Sequence, residues 1–328
     1  MAKNVKLGLI GAGHIAKQHL EVLEKVGGME AVGITSRTKA KAQDLARQYR
    51  IGVCADDIDS LVNQAKPDAL MVLVSENQVC SVVSSVIPLG LPLFIEKPAG
   101  LSSKENLKLA NLAKEYAVST MVGFNRRYYS IFHKGIKIIK DHGPLLGILV
   151  EGHERMWRVR EGKKFSEDVL SNWIFANSTH TIDLLRFFAG EPKEIKSFAR
   201  SYLESGGDQF AAIIQLDSGT IGHYLAHWYS PGGWKVVLFG DGVTVEYEPL
   251  EKGRWIDKSL ESHEIVPDDV DLKYKPGFFR QMEAFGRLVR NGRPEWPILD
   301  LEGSYKTMLL AKEISANSSL HLQKAKIG

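Results

Sequence analysis

Apolar residues in the first third of the chain fall into short dense runs, separated by stretches with helical spacing. Residues 5–10 read as a strand, broken by Gly11-Ala12-Gly13. Residues 14–26 then space Ile15, Leu20, Val22 and Leu23 as one helical stripe, stopped by Gly27-Gly28. Residues 31–35 predict a second strand, and 38–49 a polar helix with Ala42, Leu45 and Ala46 on its inner face. The runs 69–74 and 91–95 predict buried strands on either side of a helix over 79–89. A helix over 102–116 opens with Ser102 as cap and Glu105 three residues on, a capping box, and 118–123 is a further strand. Nearly continuous apolar strands alternating with helices predict a parallel, doubly wound sheet covered on both faces.

The pattern changes after about Asn125. Helical spacing over 126–140 precedes a strand over 147–154 and a polar, aromatic, irregular stretch over 155–175. A helix over 179–188 ends at Gly190. Strand-like segments then follow one another without helices at 195–202, 209–216, 220–228, 235–239 and 243–247, with Asp217-Ser218-Gly219 and Asp241-Gly242 as hairpin-type turns. That predicts an open, mainly antiparallel sheet of about five or six strands. Helices over 275–290 and 301–316 close the chain. The fold class is therefore α/β, with a dinucleotide-binding domain over 1–125 and a substrate and oligomerisation domain over 126–328. The closing helix 301–316 is expected to pack back on the first domain. An open sheet leaves a face to cover, which predicts a homodimer or homotetramer through it.

Composition narrows the classes. The 328 residues carry 44% hydrophobic and 25% charged side chains, the balance of a globular protein with room for two domains. A net charge of +3, with basic residues dispersed, points away from nucleic acid. No stretch reaches the roughly 18 unbroken apolar residues of a membrane span, and the N-terminus runs straight into a strand without a signal-peptide pattern. Cys54 and Cys80 form no metal-ligand spacing and no disulfide framework, so a cytoplasmic protein without a metal site is expected.

Four segments carry candidate chemistry. Gly11, Gly13 and Ala16 make a G-x-G-x-x-A turn that leaves a strand and opens a helix at His14 and Ile15. In that setting Gly11 allows the tight turn, Gly13 lets the backbone approach a pyrophosphate, and Ala16 allows close helix–strand packing. The second strand ends in Ser36-Arg37 with no acidic residue, and Lys39 and Lys41 follow. An arginine here can take a 2′-phosphate, so NADP is favoured over NAD; Arg37 stacking on adenine would admit both. Glu96-Lys97-Pro98 follows the strand over 91–95, where Pro98 keeps Lys97 extended at the lip of a ligand crevice. Lys97 there is a candidate acid or base; a surface Glu-Lys pair before a turn has the same sequence. His180 and Asp183 lie three apart on one helix, and His180 alone would also suit a structural role. Trp157, Arg158, Arg160, Trp173 and Phe175 cluster just before that helix. Aromatic rings stack on sugar faces while Arg binds hydroxyls or anions; ordinary packing under a long loop is the alternative.

Taken in this order, Gly11–Ala16, Glu96-Lys97-Pro98, Gly123-Phe124-Asn125-Arg126 and His180-Thr181-Ile182-Asp183 resemble the glucose–fructose oxidoreductase / inositol dehydrogenase / MocA-like family, over almost the whole chain. The resemblance implies a Rossmann domain and a second α/β domain with an open sheet. It implies hydride exchange between a nicotinamide and a hydroxyl-bearing carbon of a sugar, a sugar derivative such as a nucleotide sugar, or a cyclitol. It maps Lys97 as the residue that bonds the reacting oxygen and His180 as the general base. Glu96, Lys97, Ser75 and Asn77 fall at cofactor positions, and Asn125, Arg126, Trp157, Trp173, Asn177 and Asp183 on the substrate side. A lysine ammonium would stabilise a developing alkoxide, and desolvation would lower its pKa. The chain also departs from the family pattern. Ala176 stands where many members have an aspartate four residues before the histidine, and Asn177 follows it. Ser75-Glu76-Asn77 with Cys80 replaces Thr-Pro-Asn with a later histidine. The missing aspartate motivates a second reading, a non-catalytic NAD(P)-binding sensor; a third, a glycoside hydrolase that uses NAD transiently, would keep the same cofactor turn.

Overall fold

The apolar runs of the first third become β1 (Val5–Ile10), β2 (Met29–Thr35), β3 (Val53–Ala55), β4 (Ala69–Val72), β5 (Leu93–Ile95) and β6 (Thr120–Val122). In the computed structural model, which describes residues 4–317 and 319–321, they pair in the order β3-β2-β1-β4-β5-β6. Every pairing is parallel. Successive strand residues serve opposite faces. Leu7, Leu9, Ile34, Met71, Phe94 and Met121 pack with the helices His14–Leu23, Lys39–Tyr49 and Phe278–Asn291. Ile10, Leu70, Val72, Leu93, Ile95 and Val122 pack with Ile58–Ala65, Val79–Val86 and Ser103–Glu115. Both faces are covered, which is why these strands show no polar alternation. β3 escapes prediction because its three residues, only one of them buried, form no dense apolar run; the helix Ile58–Ala65 after it also goes unpredicted, although Ile58, Leu61, Val62 and Ala65 are spaced as one stripe. Chain order reverses between β1 and β4, opening a crevice at the carboxyl ends of the strands.

The expected capping box at Ser102 is completed one residue early. Ser102 Oγ accepts the Glu105 amide at 3.2 Å, but the Glu105 carboxylate takes the amide of Leu101, at 2.6 Å.

The chain divides into two compact units, Met1–Tyr128 with Val270–Tyr305, and Tyr129–Asp269 with Lys306–Gly328. The closing helix, Leu301–Ser315, is shared in sequence between them. The second unit is built on β7 (Leu145–Gly152), β8 (Pro192–Arg200), β9 (Gln209–Leu216), β10 (Ile221–His227), β11 (Trp234–Gly240), β12 (Val243–Tyr247), β13 (Gly253–Ile256), β14 (Ser262–Ile265) and β15 (Ser319–His321). Their order is β14-β13-β12-β11-β7-β10-β9-β8-β15, a nine-stranded sheet rather than one of five or six strands. β13 and β14 are four residues each and mix charged with apolar positions, so no period marks them. The sheet is also not purely antiparallel: β7 pairs parallel with β10 and antiparallel with β11. A strand inserted between two consecutive antiparallel neighbours must run parallel to one of them.

The irregular stretch over 155–175 holds two short helices, Met156–Glu161 and Glu167–Ser171, and leads into a π turn, Ile174–Ser178. The helix Thr179–Ala189 follows directly. One sheet face is buried, through Ile148, Val150, Phe210, Ile214 and Tyr224. The other exposes Phe198, Ile213, Ile221 and Phe239 by 76%, 57%, 52% and 40%. Among the described residues no helix is long and apolar enough to cross a membrane.

Tyr247 anchors the buried face. It is fully buried, its ring edge-on to Phe132 at 4.7 Å, and its hydroxyl donates to the Ile131 carbonyl at 3.1 Å. Gly135 is glycine because a Cβ there would collide with that hydroxyl. Burial pushes the phenol pKa up from its ordinary 10.0. The unfolded chain therefore ionises first as pH rises, so this contribution to stability is fully present below pH 10.0 and is lost above it. Tyr247→Phe should flatten that part of the alkaline loss and cost about 0.5–1.5 kcal/mol at pH 7 for the hydrogen bond. Urea unfolding at pH 7, 9 and 10.5 measures both effects.

Candidate active site

A groove of about 670 Å³ lies over the carboxyl ends of β1, β2 and β4. Its two glycines are required for different reasons. Gly11 sits at φ +116°, gives its amide to the Thr35 carbonyl at 2.8 Å, and would drive a Cβ into the Leu73 carbonyl. Gly13 has an ordinary φ of −82°, and a Cβ there would meet no protein atom within 4 Å. The protein itself does not need glycine at 13; a ligand pressed against that backbone would. Gly13 is also the N-cap of the helix His14–Leu23, which has no side-chain cap and no acidic residue in its first turn. Uncapped first-turn amides and the positive end of the helix dipole favour an anion there. The residues thus fit a dinucleotide pyrophosphate. Ala16 is fully buried, as close helix packing requires, while His14 is exposed, Ile15 is half-buried, and neither lines the groove.

Ser36, Arg37 and Lys41 line the side of the groove beyond β2, together with Asp56, Asp57 and Asp59. Two of these acids have structural partners. Asp56 pairs with Lys39, and Asp57 caps the next helix by accepting the Ser60 amide at 2.7 Å. Ser36 Oγ accepts the Thr38 amide at 3.3 Å. Ser75 lines the groove and donates to Asn77 Oδ1 at 3.0 Å; Asn77 itself is exposed and stands off the groove wall.

Glu96 is placed differently from its neighbours. It is 8% exposed and bonds the fully buried His19 through Nε2 at 2.7 Å. The His19 ring lies edge-on to Phe94 and stacked on Phe278 at 4.6 Å. The other carboxylate oxygen accepts the backbone amide of Lys97 at 3.2 Å. Gly123 leaves room for that carboxylate, since a Cβ there would press on it. Glu96 is therefore a buried anchor for the Lys97 backbone, and Lys97 itself is half-buried. Asn125, 3% exposed, ties its Nδ2 to the Pro276 carbonyl at 3.0 Å and accepts from Arg126 at 3.3 Å.

Sequence reasoning missed Lys275. Its Nζ donates to Gln18 Oε1 at 3.3 Å and lies 4.5 Å above the Phe278 ring. The side chain as a whole meets solvent. Surrounding protein nonetheless lowers its pKa, chiefly by desolvation, with Arg126 adding to the effect and Glu96 opposing it. No local sequence signal marks it, because its neighbours come from distant segments.

The second unit has its own cavity, of about 780 Å³, between the end of β7 and the segments 231–234 and 248–251. Trp157, Arg158, Asn177, Trp234 and Glu154 line it. His180 is 6% exposed, with its ring 6.0 Å from that of Trp234. Asn177 Nδ2 donates to Glu154 Oε2 at 2.7 Å, and Ser178 Oγ to Oε1 at 2.6 Å. His180 is not among the lining residues, Asn125 and Arg126 belong to the first unit, and Trp173 and Asp183 stand elsewhere in this one. Trp173 is 4% exposed, edge-to-face with Phe165 at 5.0 Å, and does not line the cavity. Asp183 is 1% exposed and accepts from Thr307 at 2.9 Å, beside Arg186. Glu154 and Trp234 were missed. Parity offered a signal for Glu154, which shares the buried side of Ile148, Val150 and Gly152.

Comparisons with known proteins agree with this division. Residues 5–124 match the family described as oxidoreductase family, NAD-binding Rossmann fold, and residues 148–246 match the GFO/IDH/MocA C-terminal domain. A scyllo-inositol 2-dehydrogenase (NAD(+)) of Bacillus subtilis is 24% identical over 315 residues, covering 89% of this chain and 88% of that one. A solved myo-inositol 2-dehydrogenase of Lactobacillus plantarum superposes with TM-score 0.76 at 17% identity, over 96% and 97% of the two chains. A levoglucosan dehydrogenase in complex with NADH and L-sorbose superposes with TM-score 0.81 at 16% identity, over 98% and 100%. At these identities the solved structures speak to the fold.

The two glycines separate folding from binding. Gly11→Ala should cost about 2–4 kcal/mol of stability, from the positive φ and the backbone clash together. Gly13→Ala should stay within about 1 kcal/mol in stability. It should nevertheless weaken dinucleotide binding by at least about tenfold. Urea unfolding and calorimetric titration with NAD⁺ and NADP⁺ check the pair.

Proposed function

The chain belongs to the GFO/IDH/MocA oxidoreductase family, and from that membership we propose that it is a nicotinamide-dependent dehydrogenase acting on a sugar, a sugar derivative or a cyclitol. The observation that carries the reading is Gly13: a glycine with open space at its Cβ, on an uncapped helix N-terminus. Gly11, Gly13 and the first-turn amides would hold the pyrophosphate, and Ser36 and Arg37 the adenosine ribose. Arg37 and Lys41 support NADP over NAD; their neighbours Asp56 and Asp57 are engaged in an ion pair and a helix cap. The bound nicotinamide supplies the hydride acceptor or donor.

The chain's own residues handle the proton. Oxidation of an alcohol sheds a hydride and a proton, so an acceptor must take the latter. In this reading Lys97 donates a hydrogen bond to the reacting oxygen and stabilises its developing negative charge. Its backbone is held for that task by Glu96, itself held by His19. His180 receives the proton, and Trp157 and Trp234 offer ring faces to the apolar side of a sugar or cyclitol. Arg158 at the same cavity supports a substrate that carries an anionic group, such as a nucleotide sugar. The free thiols Cys54 and Cys80 accord with a reducing, cytoplasmic setting.

Reduced-nicotinamide absorbance tests the reading, with NAD⁺ and NADP⁺ against myo-inositol, glucose and a uridine-diphosphate sugar. Lys97→Ala and His180→Ala should each lower kcat by about 10²-fold or more, with cofactor affinity nearly unchanged. Cofactor binding with no turnover of any alcohol would select the sensor, and glycoside cleavage without net reduction the hydrolase.

The exposed apolar row on the nine-stranded sheet supports a homodimer or homotetramer. Ile213 and Ile221 lie on neighbouring strands of one face, and Phe239 faces Gly147, which also pairs with Ile221. Ile213→Lys should shift the sedimenting species to monomer; an unchanged mass would reject this face as the interface.

A further inference from the structure

In a dinucleotide groove, an acid near the end of β2 bonds the ribose 2′-hydroxyl and disfavours a 2′-phosphate. Here β2 ends in Thr35, and Ser36 follows it. An acid stands one strand over. β3 pairs parallel with β2, Gly33 beside Val53 and Thr35 beside Ala55, so the next residues, Ser36 and Asp56, leave adjacent strand ends side by side. Both line the groove. Asp56 therefore brings a carboxylate to the level at which an acid following β2 would stand.

The acids at this end of the groove are balanced in different ways. Asp57 caps the helix Ile58–Ala65 and Asp59 lies in its first turn, so both meet the positive end of a helix dipole. Asp56 precedes that helix and is paired instead with Lys39 Nζ. The hydrogen bond to Asp56 and its charge hold the Lys39 ammonium above its ordinary range. Lys39 opens the helix Lys39–Tyr49 and does not line the groove, whereas its partner does. The pair is exposed, by 61% at the lysine and 71% at the aspartate, so it adds little to folding. Arg37 and Lys41 also line the groove, and neither has an ion-pair partner among the described residues.

We propose that Lys39 is a specificity-determining residue: by neutralising Asp56 it silences the acid that would hold a ribose 2′-hydroxyl and repel a 2′-phosphate, and so leaves the 2′ position to Arg37 and Lys41. The proposal rests on the dinucleotide reading of the groove. It makes the choice between NADP and NAD depend on an ion pair that joins the segments after β2 and β3, and not on the residues after β2 alone.

Calorimetric titration of the full chain with NADP⁺ and NAD⁺ tests it, at low ionic strength, where exposed charges are least screened. The quantity read is the ratio of the two affinities, whichever dinucleotide the wild type prefers. Lys39→Gln should shift that ratio toward NAD⁺ by at least about tenfold, because Asp56 then faces the 2′ position unpaired. NAD⁺ binding in the same variant reports that the groove is intact. Combining Lys39→Gln with Asp56→Asn should bring the ratio back to within about threefold of the wild type, because the charge that Lys39 neutralises is gone as well. A ratio that does not move in Lys39→Gln would overturn the proposal. So would a double variant shifted as far as Lys39→Gln alone, since the lysine would then act on the phosphate itself. Wild-type protein that binds neither dinucleotide overturns the reading of the groove as a whole, whereas wild-type binding with an unmoved ratio overturns the role of Lys39 alone.

Discussion

The buried hydrogen bond between Glu96 and His19 is the constraint around which the first unit's site is arranged. A carboxylate taken out of water must keep its partners or neutralise, and Glu96 keeps two: the His19 ring and the Lys97 amide. His19 stands on the helix that opens at Gly13, and Glu96 at the end of β5. One interaction therefore ties the helix that opens at Gly13 to the strand end that carries the lysine. Phe94 and Phe278 close around the His19 ring and exclude water from it. In a low-dielectric setting such a bond is strong when made and costly when broken. The position of Lys97 is accordingly set by packing beneath it, through groups that need never touch a ligand.

The second unit uses the same device. Glu154 takes donors from Asn177 and Ser178 as Glu96 takes them from His19 and Lys97. In both places a buried carboxylate accepts hydrogen bonds from donors of its own unit. The difference lies in the donors: a ring and a backbone amide at the end of β5, two side chains at the π turn before Thr179–Ala189. A sheet provides the frame in each case, since Glu96 follows the end of β5 and Glu154 the end of β7.

Candidate residues in helix interiors fared differently from those at strand ends. Asp183 shares a helical face with His180 by spacing, but that helix is buried on nearly every side. Spacing then says nothing about which neighbour a residue meets, and Asp183 meets Thr307 and Arg186. Trp173 likewise packs against Phe165 rather than beside Trp157. Aromatic residues close together in sequence do not gather in space when short helices turn their side chains apart.

The sequence by itself determined what depends on local physics. Apolar runs and glycine stops marked most strands of the first unit, the turn at Gly11 and Gly13, the cap at Ser102 and the lysine before Pro98. Each of these follows from backbone sterics or from burial on both faces of a sheet, which neighbouring residues encode. Only the tertiary structure decided that Glu96 faces His19, 77 positions away, that Lys275 comes beside Gln18, and that β7 slips between β10 and β11. It alone brought Glu154 to the cavity beside Asn177, near the ring pair of Trp234 and His180. Partners so distant along the chain are chosen by strand order and packing, and no local pattern of residues records that choice.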